Sequence, residues 1–149
     1  MKAVVTRVNS ASVCIDGALH GQIGRGFLIL LGIGPDDTPA LCRKLAEKIL
    51  GLRVFRDEND KMNLSVKDVD GDILAVSQFT LLGDVRKGKR PSFSSAARPE
   101  EADRLYQKVI EDLRQDGLHV EEGVFQAHMM VDILNDGPVT ILLDSRKNF

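Results

Sequence analysis

The apolar positions of the chain follow different periods in different stretches, and each period marks a different kind of element. Ala3-Val4-Val5-Thr6-Arg7-Val8 and Ser12-Val13-Cys14-Ile15 are β-branched runs that favour extended backbone. Asp16-Gly17 supplies a tight turn before another extended piece near Gly21 and Ile23, so an N-terminal β-meander is expected. Phe27-Leu28-Ile29-Leu30-Leu31 does not alternate, as suits a strand covered on both faces, and it stops at the turn signal Gly32-Ile33-Gly34-Pro35.

Helical spacing follows. Asp37-Thr38-Pro39 offers a capping side chain and then proline at the first helical position, where its missing N–H costs nothing. Leu41, Leu45, Ile49 and Leu52 predict the buried stripe, with Arg43, Lys44, Glu47 and Lys48 on the other face. Arg53-Val54-Phe55 predicts a short strand, residues 57–60 an exposed turn, and residues 61–66 a return along the sheet. Ile73-Leu74-Ala75-Val76 predicts a buried strand ending in Ser77-Gln78-Phe79-Thr80. A second helix opens at Pro99-Glu100-Glu101, with acidic side chains at the positive end of its dipole. Its stripe is Ala102, Leu105, Tyr106, Val109, Ile110 and Leu113, and Gly117 closes it. Met129, Val131 and Ile133, then Val139, Ile141 and Leu143, alternate as two strands around Asn135-Asp136-Gly137-Pro138. Without a repeat, linker or low-complexity tract, residues 1–149 are expected to form a single α+β domain. It is a mostly antiparallel β-sheet with two helices packed on one side.

Composition narrows the class. With 43% hydrophobic and 28% charged residues, the chain has the balance of an ordinary globular protein, and 149 residues suffice for one core. A net charge of −2 argues against a uniformly basic nucleic-acid coat but leaves room for a local basic patch. Cys14 and Cys42 have neither metal-ligand spacing nor the density of a disulfide scaffold, so a reduced, cytoplasmic protein is expected. Met1-Lys2 runs straight into a strand pattern, so no signal peptide is expected. The apolar run 27–31 is far below the ~20 residues of a membrane span, so no membrane partner is expected either.

Two polar stretches are not needed to make a strand: Ser77-Gln78-Phe79-Thr80-Leu81 and Asn135-Asp136-Gly137-Pro138-Val139-Thr140. Ser77 and Thr80 offer hydroxyls, but His20, His119 and His128 sit in no nucleophile motif, and their spacing argues against a metal site. With no phosphate-cradling glycine loop and no dinucleotide fingerprint, no cofactor is expected. Two main-chain devices remain. Trans is the default for Gly137-Pro138, but a cis bond would let both carbonyls point the same way as rigid acceptors. Phe79 and Thr80 at a strand end could offer unpaired N–H groups to a developing oxyanion. Arg86-Lys87-Gly88-Lys89-Arg90 is either a solvated loop or a phosphate contact, the latter favoured by its place shortly after residue 80. Arg7 on the first strand is by default an outer, solvated cation unless a carbonyl or phosphate needs it.

At these residues the chain resembles the D-aminoacyl-tRNA deacylase family. The two polar stretches are similar to its two signature motifs, supported by Arg7-Val8, Gly51-Leu52-Arg53-Val54-Phe55, Lys61-Met62-Asn63-Leu64, Arg90-Pro91-Ser92-Phe93, and Phe125 with Met129. The likeness runs in order from Met1 to about Ser145. It implies barrel-like layers and an editing hydrolase that cleaves the ester between a D-amino acid and the terminal adenosine of tRNA, and that also removes glycine wrongly attached to tRNA. It further implies a homodimer in which Gly137-cis-Pro138 of one subunit enters the other's site and excludes L side chains. On this resemblance Thr80, Gln78 and Phe79 are the candidate catalytic residues. Ser77, Phe125, Met129, Gly137, Pro138 and Arg7 are the candidate substrate-binding residues, Arg7 by fixing the Gly-Pro loop.

Thr80 acts as a nucleophile, or a water attacks with help from the RNA's 2′-hydroxyl and from backbone N–H groups. The second is favoured, since no evident base activates Thr80. Gln126, where the family often has a small residue, and His128 depart from the pattern. The charged tail of residues 146–149 adds nothing. Gly137-Pro138-Val139-Thr140 is similar to the D-specific branch rather than the branch with relaxed chirality. Two other classes compete with the enzyme: a non-catalytic RNA-end-binding module built on residues 86–90, and a purely structural dimerisation domain.

Overall fold

The computed structural model of the chain describes residues 1–147; Asn148 and Phe149, the end of the charged tail and of the expected domain, lie outside the described residues. The elements in order are β1 (Lys2–Ile15), β2 (Ala18–Ile23), β3 (Gly26–Gly32), α1 (Pro39–Leu50), β4 (Phe55–Arg56), β5 (Met62–Leu64) and β6 (Asp72–Ser77). A 3-10 turn (Phe79–Leu82) follows, then α2 (Pro99–Gln115), β7 (Val120–Glu122), β8 (Met130–Asp144) and a last 3-10 turn (Ser145–Lys147). The main sheet runs β2-β1-β3-β6-β7, with β8 on the free side of β1. Pairings of β1 with β2, β3 and β8 are antiparallel, while β3-β6 and β6-β7 are parallel. The sheet curls until β2 touches β6 and β7, so the fold is α+β with a mixed, nearly barrel-shaped sheet and two helices.

Strands that do not alternate are explained by two apolar layers. Phe27, Ile29 and Leu31 of β3 and Ile73 and Ala75 of β6 face the helices, packing with Leu45, Ile49, Leu105 and Ile110. Their neighbours Leu28, Leu74 and Val76 pack with Val8, Val13 and Ile23 inside the curl. Both helices begin where the sequence places them. Thr38 Oγ1 accepts from Leu41 N–H, Pro39 and Pro99 occupy first turns, and Gly117 follows α2 with φ +85°.

Several boundaries differ from the sequence expectation, each through a long-range pairing. The two N-terminal β runs are one 14-residue strand, because β8 pairs along residues 2–14 while β3 and then β2 take the other edge. Residues 62–64 do not return along the main sheet but pair with β4 in a separate two-stranded sheet. In α1 the buried stripe is Cys42, Leu45, Ala46, Ile49 and Leu50, with Leu41 and Leu52 half-buried, because small Cys42 and Ala46 sit in the core that α1 shares with α2. The segment around Gly137-Pro138 is not a turn between two strands. It is a bulge within β8, since Thr6 pairs with Thr140 and Val8 with Asn135, so Arg7 alone lies opposite residues 136–139. None of the described helices is long and apolar enough to cross a membrane.

Candidate active site

β6 delivers the first polar stretch. Ser77 pairs with Leu31 of β3, and Gln78 N–H donates to the Leu31 carbonyl at 2.8 Å, so the strand is held until its last residue. The chain then tightens into the turn Phe79–Leu82, where Leu81 N–H reaches Gln78 O at 3.3 Å and Gly83 N–H reaches Thr80 O at 3.0 Å. The first N–H groups of such a turn have no partner within it. Among the described residues, neither the Phe79 nor the Thr80 N–H has an acceptor outside its own turn. Gly32 makes the packing possible, because a Cβ there would run into the Leu82 side chain and lie 2.9 Å from the Gln78 carbonyl oxygen.

These residues form one side of a cavity of about 740 Å³. Ser77, Gln78, Phe79 and Thr80 line it together with Phe125, Gln126 and Met129, and with Ala96, Ala97 and Tyr106 of α2 and the segment before it. Phe93 stacks edge-on against Phe79 with ring centroids 4.9 Å apart, and Tyr106 lies 6.3 Å from Phe125. Gln126, with φ +65°, carries the lining from Phe125 towards Ala127. Sequence reasoning placed Tyr106 only in a helix stripe. The signal was its hydroxyl, since the single tyrosine of the chain, fully buried, needs a partner and donates to Ala75 O at 2.9 Å.

The lining holds few reactive side chains. Among the described residues Tyr106 is its only titratable side chain, and burial, with Glu122 adding, pushes that phenol far above its ordinary range. The Thr80 hydroxyl accepts a hydrogen bond from Gln78 Nε2 at 3.1 Å. A nucleophilic hydroxyl needs a base that takes its proton, whereas Thr80 has a donor beside it. The described residues hold no cluster of His, Cys, Asp and Glu able to bind a metal. What the lining residues offer is two backbone N–H groups without a partner outside their turn, the amides of Gln78 and Gln126, the hydroxyls of Ser77 and Thr80 beside the engaged phenol of Tyr106, and an apolar wall.

The second polar stretch lies elsewhere in the chain. Gly137, Pro138 and Arg7 are not part of this cavity lining. The Gly137-Pro138 bond is cis, and both residues are exposed on the bulge of β8. Asn135 ties the bulge's base, accepting from Val139 N–H at 3.2 Å and donating to Thr140 Oγ1 at 3.3 Å. Arg7 is not a solvated strand cation, because its side chain is only 3% exposed. Its Nε donates to Asp136 O at 3.2 Å and pairs with the Asp136 carboxylate at 3.1 Å, while Nη1 donates to Val54 O. One chain thus brings together residues 77–80, Phe125 and Met129, and holds Gly137 and Pro138 apart on a fixed, outward bulge.

Known proteins resemble this chain in sequence, in shape or in both. A family model described as D-Tyr-tRNA(Tyr) deacylase matches residues 4–144. A D-aminoacyl-tRNA deacylase of Koribacter versatilis is 62% identical over 149 residues, covering all of both chains. Among solved structures, the c-Myc DNA Unwinding Element Binding Protein superposes with a TM-score of 0.91 at 47% identity, over 97% of this chain and 98% of that one. A probable eukaryotic D-amino acid tRNA deacylase shares the fold, with a TM-score of 0.82 at 17% identity over 95% and 97% of the two chains. The match runs from the first strand to the last in a fold that carries both polar motifs: the chain belongs to the D-Tyr-tRNA(Tyr) deacylase family and is a D-aminoacyl-tRNA deacylase.

Proposed function

We propose that the cavity between residues 77–80 and Phe125 receives the aminoacyl ester and terminal adenosine of D-aminoacyl-tRNA, and that water rather than Thr80 attacks the ester. The water oxygen bonds to the ester carbonyl carbon, and the Phe79 and Thr80 N–H groups donate to the oxyanion that forms. The bond from that carbon to the ribose oxygen then breaks. The water's proton passes to the departing oxygen with the neighbouring ribose hydroxyl as relay, leaving a free amino acid and a tRNA with its hydroxyl restored. One observation carries this reading: among the described residues Tyr106, held protonated by burial, is the only titratable group in the lining, and the Thr80 hydroxyl faces a donor.

Chirality, on this proposal, is enforced by a second copy of the chain. Its Gly137-cis-Pro138 bulge enters the open side of the cavity and places two carbonyls where an L side chain would go. Glycine, having no side chain to exclude, is then accepted from glycyl-tRNA. Two features support the dimer. β8 is a 15-residue strand paired only with β1, and it exposes Met130, Ile133, Leu134 and Leu142, whereas an edge left without a partner invites pairing with another chain. The bulge is exposed yet anchored by a buried guanidinium, as an element that must hold its shape against a partner requires.

Deacylation of D- and L-tyrosyl-tRNA tests both parts. Turnover of the D ester with the L ester spared is expected. Hydrolysis of both at similar rates would remove the filter, and RNA binding without turnover would leave an RNA-end-binding module.

A further inference from the structure

The backbones of Asp84 and Ser92 exchange two hydrogen bonds, at 2.8 and 2.9 Å, and close a hairpin of residues 85–91 that is exposed along its whole length. It carries Arg86, Lys87, Lys89 and Arg90 around Gly88, whose φ of +97° makes the turn. Arg86 is committed to the hairpin itself, since Nε and Nη2 donate to the two Asp84 carboxylate oxygens at 2.9 and 2.6 Å. Among the described residues, Lys87, Lys89 and Arg90 have no carboxylate within ion-pair distance. Three uncompensated cations within four residues repel one another, on a chain whose net charge is −2, and a bound polyanion removes that cost.

The hairpin also begins at the wall of the cavity. Ser92 is followed by Phe93, which lines the cavity and stacks on Phe79. Three residues beyond the Asp84–Ser92 bridge reach about 10 Å, the length of roughly three phosphates of a stacked strand at ~3.4 Å per nucleotide.

We propose that residues 85–91 form a phosphate-binding arm. Lys87, Lys89 and Arg90 contact the phosphodiester backbone of the nucleotides that immediately precede the terminal adenosine, while Asp84 and Arg86 keep the arm in shape. The inference rests on the reading that the cavity takes the terminal adenosine of tRNA. Contacts to phosphate carry no sequence information, so the arm contributes alike to every tRNA.

Binding of deacylated tRNA to the full chain, measured from low to moderate salt, tests the arm. The triple variant Lys87→Gln, Lys89→Gln, Arg90→Gln is compared with a charge control on α1, Lys44→Gln, Lys48→Gln, with circular dichroism as the check that both are folded. Single-strand phosphate contacts contribute about 0.7 each to the salt exponent. The triple variant is therefore expected to bind at least tenfold more weakly at low salt and to lower the slope of log affinity against log salt by about 2. Equal affinity and slope for wild type and triple variant would overturn the proposal, as would an equal loss in the α1 control. Hydrolysis of D-tyrosyl-adenosine by the wild type reports separately on the cavity. If that fails while the binding difference stands, the catalytic reading is wrong and the arm is not.

Discussion

Arg7 and Gly137 are packed so closely that a Cβ on the glycine would lie 2.9 Å from Arg7 Nη2, and 2.8 Å from Val139 Cγ2. Gly137 also has φ +125°, which side chains rarely adopt. Both constraints concern the exposed bulge and not the core. Gly137→Ala is thus expected to shift the thermal transition by only a few degrees while lowering kcat/KM for D-tyrosyl-tRNA on the order of 10–100-fold, as misplacement of a positioning element does. Wild-type kinetics in this variant would exclude the bulge from the site.

The other half of the pair bears on stability. Arg7→Ala leaves the Val54 and Asp136 carbonyls without their charged donor and opens a gap beside β1. Buried acceptors that lose such a donor cost about 1–3 kcal/mol each. The Asp136 carboxylate, 38% exposed, regains water and adds little. A net loss of about 2–3 kcal/mol, roughly 5–10 °C in Tm for a chain of this size, is expected by calorimetry. Arg7→Lys recovers only part of it, because an ammonium lacks the fork that reaches both carbonyls.

Much of this architecture is legible from local pattern, and what is not has a common cause. The run 27–31 reveals a strand covered twice because both faces are apolar, and Thr38-Pro39 and Pro99 mark helix starts because capping is local. The continuity of β1 is hidden at Asn9-Ser10, where the β-branched run lapses and only β8, more than a hundred residues away, keeps the strand paired. The bulge in β8 is hidden in the same way, since Gly137-Pro138 signals a turn whether or not the chain resumes its register with β1. For the site, residues 77–80 and 137–138 are expected only by resemblance, and the single chain brings only the first stretch to the cavity. That Phe93, Ala96 and Tyr106 complete the cavity follows only from how α2 and the segment before it pack on β6.

The hairpin beside the cavity has its own pH dependence. Asp84 is held down to about 2, first by the side-chain hydrogen bonds of Arg86 and then by the Arg86 backbone N–H. A depressed carboxylate stabilises the folded arrangement above its ordinary pKa near 3.8 and ceases to do so as pH falls through about 2. The Asp84 carboxyl resonance and the Arg86 amide are expected to titrate together near pH 2 in an NMR series. Arg86→Gln is expected to return Asp84 towards the ordinary carboxylate range, and no change in that variant would show that the pair does not organise the arm.

Backbone N–H groups such as those of Phe79 and Thr80 cannot be deleted by truncating a side chain. Proline can delete one. Gln78, at φ −145° and ψ 88°, lies outside the helical region that a following proline disfavours, and the φ of a 3-10 turn lies near that of proline. Phe79→Pro therefore removes the Phe79 donor with little change to the turn, and Phe79→Ala removes the ring alone. Single-turnover deacylation of D-tyrosyl-tRNA is expected to fall about 10²–10³-fold further in Phe79→Pro than in Phe79→Ala, the usual cost of one oxyanion donor. Thr80→Ala, which keeps its N–H and loses only a hydroxyl that accepts from Gln78, is expected to stay within about tenfold of wild type, far from the loss that removal of a nucleophile brings. If Thr80→Ala lost several orders of magnitude while the two Phe79 variants matched, the hydroxyl and not the main chain would carry the reaction.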